Sequence, residues 1–256
     1  MSGGDSAFTP HERPISRVRT MYRIPTAPNS NRTLELYHTR EPILADYAWP
    51  GACSISCKLD HELPLSVIDS PPRVGDAPRY ANPLAPLPFA DESFDLVILH
   101  RTLDELAASS QKLGLAFNGQ AFLERVSRVL VPGGVVTGCA DNRTGLKYMS
   151  RQIRHRFSGI GPAAGTPPFT LRRLERLLTT PEFADVRIFT LLDNCDNPLR
   201  LVDIDPVTSK TAFRREIEIA RDSWSRLGYV GRRIAVEIGS YPYLEESFYF
   251  WAYKRC

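Results

Sequence analysis

The sequence predicts an α/β fold built on a mostly parallel sheet, and three observations carry that expectation. FDLVILH at 94–100 is an unbroken apolar run of strand length, as suits a strand buried on both faces. GQAFLERVSRVL at 119–130 places Phe122, Val126 and Val129 at helical spacing. Pro132-Gly133-Gly134 then ends that helix and turns the chain into a second apolar run, VVTGCA at 135–140. Strand, helix, strand with short joints is a βαβ unit, which crosses over right-handed.

Along the chain, residues 1–32 are polar and interrupted by Pro10, Pro14, Pro25 and Pro28. Proline restricts its own backbone and that of the preceding residue, so this stretch reads as an extended arm ahead of a domain over 33–256. Residues 33–49 read as a helix broken at Pro42, 51–59 as a strand, and 65–69 (LSVID) as a short buried strand stopped by Ser70-Pro71-Pro72. Residues 145–157 read as a basic helix and 158–168 as a loop. Thr170 is placed to cap a helix over 171–178. Residues 183–191 read as a strand, 191–206 as an Asp-rich loop, 211–227 as an amphipathic helix, and 247–254 as an aromatic strand.

Composition sets the outer limits. The 256 residues are 43% hydrophobic and 24% charged, the profile of a globular protein with a sizeable core. A net charge of +3 is too small to signal nucleic-acid binding by itself, and no aromatic platform is interleaved with basic residues. There is neither a secretory signal nor an apolar run long enough for a membrane span, so a cytoplasmic setting is expected. Five cysteines, an odd number, argue against a disulfide framework. Cys53, Cys57 and His61 lack an evident fourth ligand, and no metal site is expected.

LPFADESFDLVILHRTLDEL at 87–106, followed by AFLERVSRVLVPGGVV at 121–136, resembles class I S-adenosylmethionine-dependent methyltransferases. The two blocks match that family's fourth strand and its following helix, Pro-Gly turn and fifth strand, in order. The resemblance implies a Rossmann-like class I methyltransferase fold, with a mostly parallel sheet, an antiparallel terminal strand and helices on both faces. It also implies S-adenosyl-L-methionine as cofactor and a small-molecule, sugar or peptide acceptor.

Site residues follow from it by register. The family's glycine-rich turn after the first strand has no full counterpart, and the candidate region 40–64 offers only Gly51. Asp69 is the candidate for the acid that ends the second strand and bonds the ribose hydroxyls. An acid normally stands where this chain has Pro83. Its neighbour Asn82 is the candidate acceptor for the adenine amino group, beside backbone near Leu87. His100 ends the fourth strand close to the cofactor and is the candidate general base. Asp104 occupies the following turn with Glu105, and Asp141 follows the fifth strand. Both Asp104 and Asp141 are candidates for orienting an acceptor, and both also suit a bland role in a helix start or a turn. Arg101 and Asn142 flank the same crevice as candidate substrate contacts. Lys147 and Arg151 share a helical face able to grip an anionic group on a substrate or partner.

Two functional expectations follow. One is methyl transfer, in which positioning supplies much of the rate. The other is a catalytically inactive methyltransferase fold that works as a partner or scaffold, through the N-terminal arm or the basic helix. Loss of the glycine turn alongside intact core strands suits the second.

Overall fold

A computed structural model describes residues 32–38, 53–61, 79–145, 169–204, 210–211, 213–215, 218 and 226–256. The strands are β1 Arg32–Tyr37, β2 Cys53–Leu59, β3 Arg79–Ala81, β4 Phe94–His100, β5 Leu130–Asp141, β6 Phe183–Asn194, β7 Asn197–Asp203 and β8 Ser247–Lys254. The helices are α1 Thr102–Lys112, α2 Gly119–Val129, α3 Leu171–Leu178 and α4 Arg226–Glu237, with a short 3-10 turn at Tyr241–Tyr243.

The eight strands form one sheet in the order β3-β2-β1-β4-β5-β8-β6-β7. Pairing is parallel from β3 through β5. It turns antiparallel where β8 inserts between β5 and β6. This is the Rossmann-like class I methyltransferase fold, with one added edge strand. The chain order reverses between β1 and β4, so the ligand crevice lies outside the carboxyl ends of those strands.

Alternation along the strands sorts the core into two faces. Val97 and Leu99 of β4, Val136 and Ala140 of β5, and Phe248 and Phe250 of β8 join one buried cluster. α1 contributes Leu103 and Leu106 to it, α2 Phe122, Val126 and Val129, and α3 Leu171, Leu174 and Leu178. Leu96, Ile98, Cys139, Leu191 and Tyr249 point to the other face, where no helix of the described residues joins their cluster. Both helix caps are chemical: Asn118 accepts the Ala121 N–H at 3.1 Å, and Thr170 accepts the Arg173 N–H at 3.3 Å, as its sequence position implies.

Four readings change. TLELY at 33–37 is not helical but the central strand β1, with Thr33 and Glu35 buried despite their polarity. The Asp-rich loop is a hairpin, β6 and β7 joined at Cys195-Asp196. Pro132-Gly133-Gly134 does not end before the strand but is an irregularity inside β5, where Phe94 pairs Leu130 and Leu96 pairs Val135. Helix α4 was not foreseen. The arm up to residue 31, the strand at 65–69, the basic stretch at 146–157 and most of 211–227 lie outside the described residues. No helix among the described residues is long and apolar enough to cross a membrane.

Candidate functional site

The end of β4 places His100 and Arg101 at the crevice, and the residues after it start α1. Arg101 is the N-cap of α1 and has a left-handed backbone, φ 57°. That turn sends the chain back over the sheet, and the Thr102 hydroxyl donates to the Leu36 carbonyl of β1 at 2.6 Å. The bond ties the two strands together at the point where the sheet order reverses.

Around this corner lies a continuous polar cluster. Arg101 Nη2 donates to Asp141 Oδ2 at 2.7 Å, and Arg101 Nη1 to Asp196 Oδ2 at 3.3 Å. His100 Nε2 is 3.5 Å from Asp196 Oδ1, and its Nδ1 is 3.3 Å from Cys139 Sγ. Asp141 Oδ1 accepts the Ser247 hydroxyl at 3.1 Å, with the Cys195 thiol at 3.9 Å. Asp104 Oδ2 accepts the Asp141 backbone N–H at 2.8 Å. Asp104 Oδ1 and Arg101 Nε are buried with no partner.

Burial sets the charges. Burial alone lowers the His100 pKa, but Cys139 and the Asp196 carboxylate outweigh it and push it up to about 9. Burial, then the Asp141 charge, holds the Asp104 carboxyl well above the ordinary carboxylate range. Burial also raises the Cys195 thiol. Arg101 is held cationic by Asp141 against its own desolvation.

His100, Arg101, Asp104 and Asp141 are therefore brought together, as their positions in the sequence imply. Asp104 is not a solvated helix-start acid but a buried one. Asn142 is adjacent yet turned away. Its amide donates to the Tyr243 and Glu245 carbonyls, both at 2.8 Å, and its Oδ1 accepts the Thr144 N–H and hydroxyl. Those four bonds exhaust an asparagine, so Asn142 staples the end of β5 rather than meeting a substrate. Cys139, Cys195, Asp196 and Ser247 complete the cluster and were not legible beforehand, because β6 and β8 deliver three of them from far along the chain.

On the cofactor side, β2 ends at Leu59, and the acid that directly follows it is Asp60. Asp69 and Gly51 lie outside the described residues, as do Lys147 and Arg151. β1 delivers the chain to Tyr37 and His38, and no glycine occurs between Gly4 and Gly51. His38 Nδ1 is 2.5 Å from the Leu59 carbonyl oxygen, and its ring centroid is 5.6 Å from that of His61. His61 Nε2 meets the Ser110 hydroxyl at 3.0 Å, while its Nδ1 is buried without a partner. Burial, then the charge of His38, lowers the His61 pKa, which favours the neutral ring. Asn82 lies beside it. Its Oδ1 accepts the Leu84 N–H at 2.9 Å and its amide donates to the His61 carbonyl at 3.2 Å. The Leu87 side chain is core, and its carbonyl accepts Arg128 Nη2 at 2.6 Å.

Residues 73–137 match a family model described as a methyltransferase domain. No curated protein matches the chain. Among solved structures, the chain is similar to Haemonchus contortus phosphoethanolamine N-methyltransferase 2 in complex with phosphomonomethylethanolamine and S-adenosylhomocysteine. Identity is 13% and the TM-score 0.48, over 94% of this chain and 53% of that one, so this chain spans about half its length. A Thermotoga maritima S-adenosylmethionine-dependent methyltransferase, a possible histamine N-methyltransferase, has 12% identity and a TM-score of 0.48 over 94% and 88% of the two chains. An S-adenosylmethionine-dependent methyltransferase from Archaeoglobus fulgidus has 12% identity and a TM-score of 0.48 over 94% and 92%.

The sequence resemblance implies S-adenosyl-L-methionine as methyl donor. The residues after β2 fit its ribose: an acceptor carboxylate in Asp60 and an orphaned ring nitrogen in His61, side by side. After β1 the glycine cradle for its methionine part is replaced by Tyr37 and His38.

Proposed function

We propose that the chain is an S-adenosylmethionine-dependent methyltransferase acting on a small molecule, sugar or peptide acceptor. The observation that carries this is the polar cluster at the carboxyl edge, with His100, Arg101, Asp104 and Asp141 facing the reversal of strand order. When bound, the cofactor supplies an electrophilic methyl group. The protein supplies position and charge. Asp60 and His61 hold the ribose, in place of the role first assigned to Asp69. Arg101 fixes Asp141, and burial together with the Asp141 charge raises the Asp104 carboxyl, which favours its protonated, donating form. His100 is charged at pH 7 and holds the acceptor as a cation; it serves as base only after giving up its proton.

The second reading is an inactive methyltransferase fold that engages a partner through its N-terminal arm or the basic stretch holding Lys147 and Arg151. It is favoured by one observation, the absence of any glycine where β1 ends.

Calorimetric titration with S-adenosylmethionine and S-adenosylhomocysteine separates the two. Micromolar binding that Asp60→Ala weakens and Asp69→Ala leaves unchanged supports the enzyme. No heat from folded protein supports the partner reading.

A further inference from the structure

His100 and Arg101 are adjacent in sequence, and both direct a cationic donor at one carboxylate. That carboxylate, Asp196, lies on the turn joining β6 to β7, and its side chain is 44% exposed. Its Oδ1 faces His100 Nε2 at 3.5 Å and its Oδ2 faces Arg101 Nη1 at 3.3 Å. Both distances are long for charge-assisted bonds, which settle near 2.7–2.9 Å. The Arg101–Asp141 bond beside them, at 2.7 Å, shows that the same guanidinium reaches full contact where its partner is built in.

Asp141 binds Arg101 Nη2 and the Ser247 hydroxyl, and burial raises the pKa of Asp104. Arg101 Nε and Asp104 Oδ1 remain buried without partners, so the described residues leave polar capacity unfilled around this corner. The corner also lies on the crevice side of the sheet, where a ligand is expected.

We propose that His100 and Arg101 form a carboxylate seat for the substrate, and that Asp196 occupies it as an internal stand-in until a substrate carboxylate displaces it. The two-oxygen, two-donor pattern selects a planar carboxylate, because each oxygen accepts one donor in a single plane. The β6–β7 turn is then a latch whose exposed side chain yields to a ligand. Assigning this anion to the methyl acceptor rests on the methyl-transfer reading; the binding seat does not.

The test uses the whole chain and acetate as probe, titrated at constant ionic strength against chloride, with the His100 ring proton shifts as readout. In the native protein Asp196 competes at high effective concentration. Asp196→Ala should therefore tighten acetate binding by about ten-fold or more. Arg101→Lys in the Asp196→Ala background should abolish most of that gain, because the planar fork is lost while the charge stays. His100→Gln in the same background, read by the backbone amide shifts of Cys195 and of residue 196, provides a second check should the lysine variant fold poorly. Unchanged acetate affinity in Asp196→Ala overturns the proposal, and phosphate binding as tightly as acetate overturns the carboxylate assignment. Titration with S-adenosylhomocysteine on the same samples separates the two levels. Cofactor binding without an acetate response sinks the seat and leaves the methyltransferase reading. An acetate response without cofactor binding supports the seat and sinks the methyl-transfer reading.

Discussion

Replacing Asp141 by asparagine removes one charge from the buried cluster and little else, since the two side chains have nearly the same shape. Asp141 is 6% exposed and Arg101 20% exposed, with 2.7 Å between Oδ2 and Nη2. Removing one partner of such a pair leaves the other charge buried, at a cost of about 3–5 kcal/mol. Asp196 still touches Arg101 Nη1, which places the expected loss near the low end, about 3 kcal/mol. Urea unfolding followed by tryptophan fluorescence measures it, with an unchanged m-value as the sign that only the folded state was altered. A loss below about 1 kcal/mol would refute the claim that this pair is buried. The double variant Arg101→Met/Asp141→Leu should recover most of the loss, since apolar pairs of similar volume replace buried ion pairs at little cost.

Two further outcomes are expected. A Cβ at Gly138 meets the Leu99 carbonyl oxygen at 2.6 Å and the Phe250 ring at 2.7 Å, so Gly138→Ala should destabilise by about 1–3 kcal/mol in the same assay, towards the upper end because backbone cannot yield. His100, faced by Cys139 and Asp196, has its pKa raised from 6.5 to about 9 on folding, so its contribution is complete below pH 6.5 and is lost as pH rises through 9. That gap corresponds to at most about 3 kcal/mol, and a stability profile across pH 6.5–9 should flatten in His100→Gln.

What was legible in the sequence follows from burial. FDLVILH announces itself because both faces of β4 are covered, α2 because Phe122, Val126 and Val129 stand at helical spacing, and α3 because Thr170 caps its apolar stripe. β1 was opaque for a physical reason. Its Thr33 and Glu35 are buried polar residues, so RTLELY resembles a half-exposed segment, and Leu and Glu are good helix formers. Missing that strand shifted the count by one. With β1 unread, the residues directly after it and after β2, Tyr37-His38 and Asp60, were not the candidates for the glycine turn and the ribose acid. His100, Arg101, Asp104 and Asp141 were found because each sits at the end of a legible strand or the start of the helix behind it. Asp196 and Ser247 reach the cluster only through the antiparallel insertion of β8 and the β6–β7 hairpin, which no local pattern encodes.

The cluster also bears on the choice between enzyme and scaffold. A sheet edge needed only for packing gains nothing from Arg101, His100, Asp104 and Asp141 at one buried corner, because desolvating such charges costs about as much as their pairing returns. Two of its polar atoms lack partners, which adds a further cost of about 1–3 kcal/mol for each. The glycine turn has gone from the β1 side of the strand reversal, while the β4 and β5 side keeps an expensive polar arrangement open to the crevice. An expense of that kind is understandable if a ligand meets it, and a chain whose crevice never receives one should become more stable when the corner is made apolar. Arg101→Met/Asp141→Leu therefore has a second use. Stability gained together with lost cofactor or acetate binding marks a ligand site, whereas stability gained with both forms of binding unchanged marks a relic.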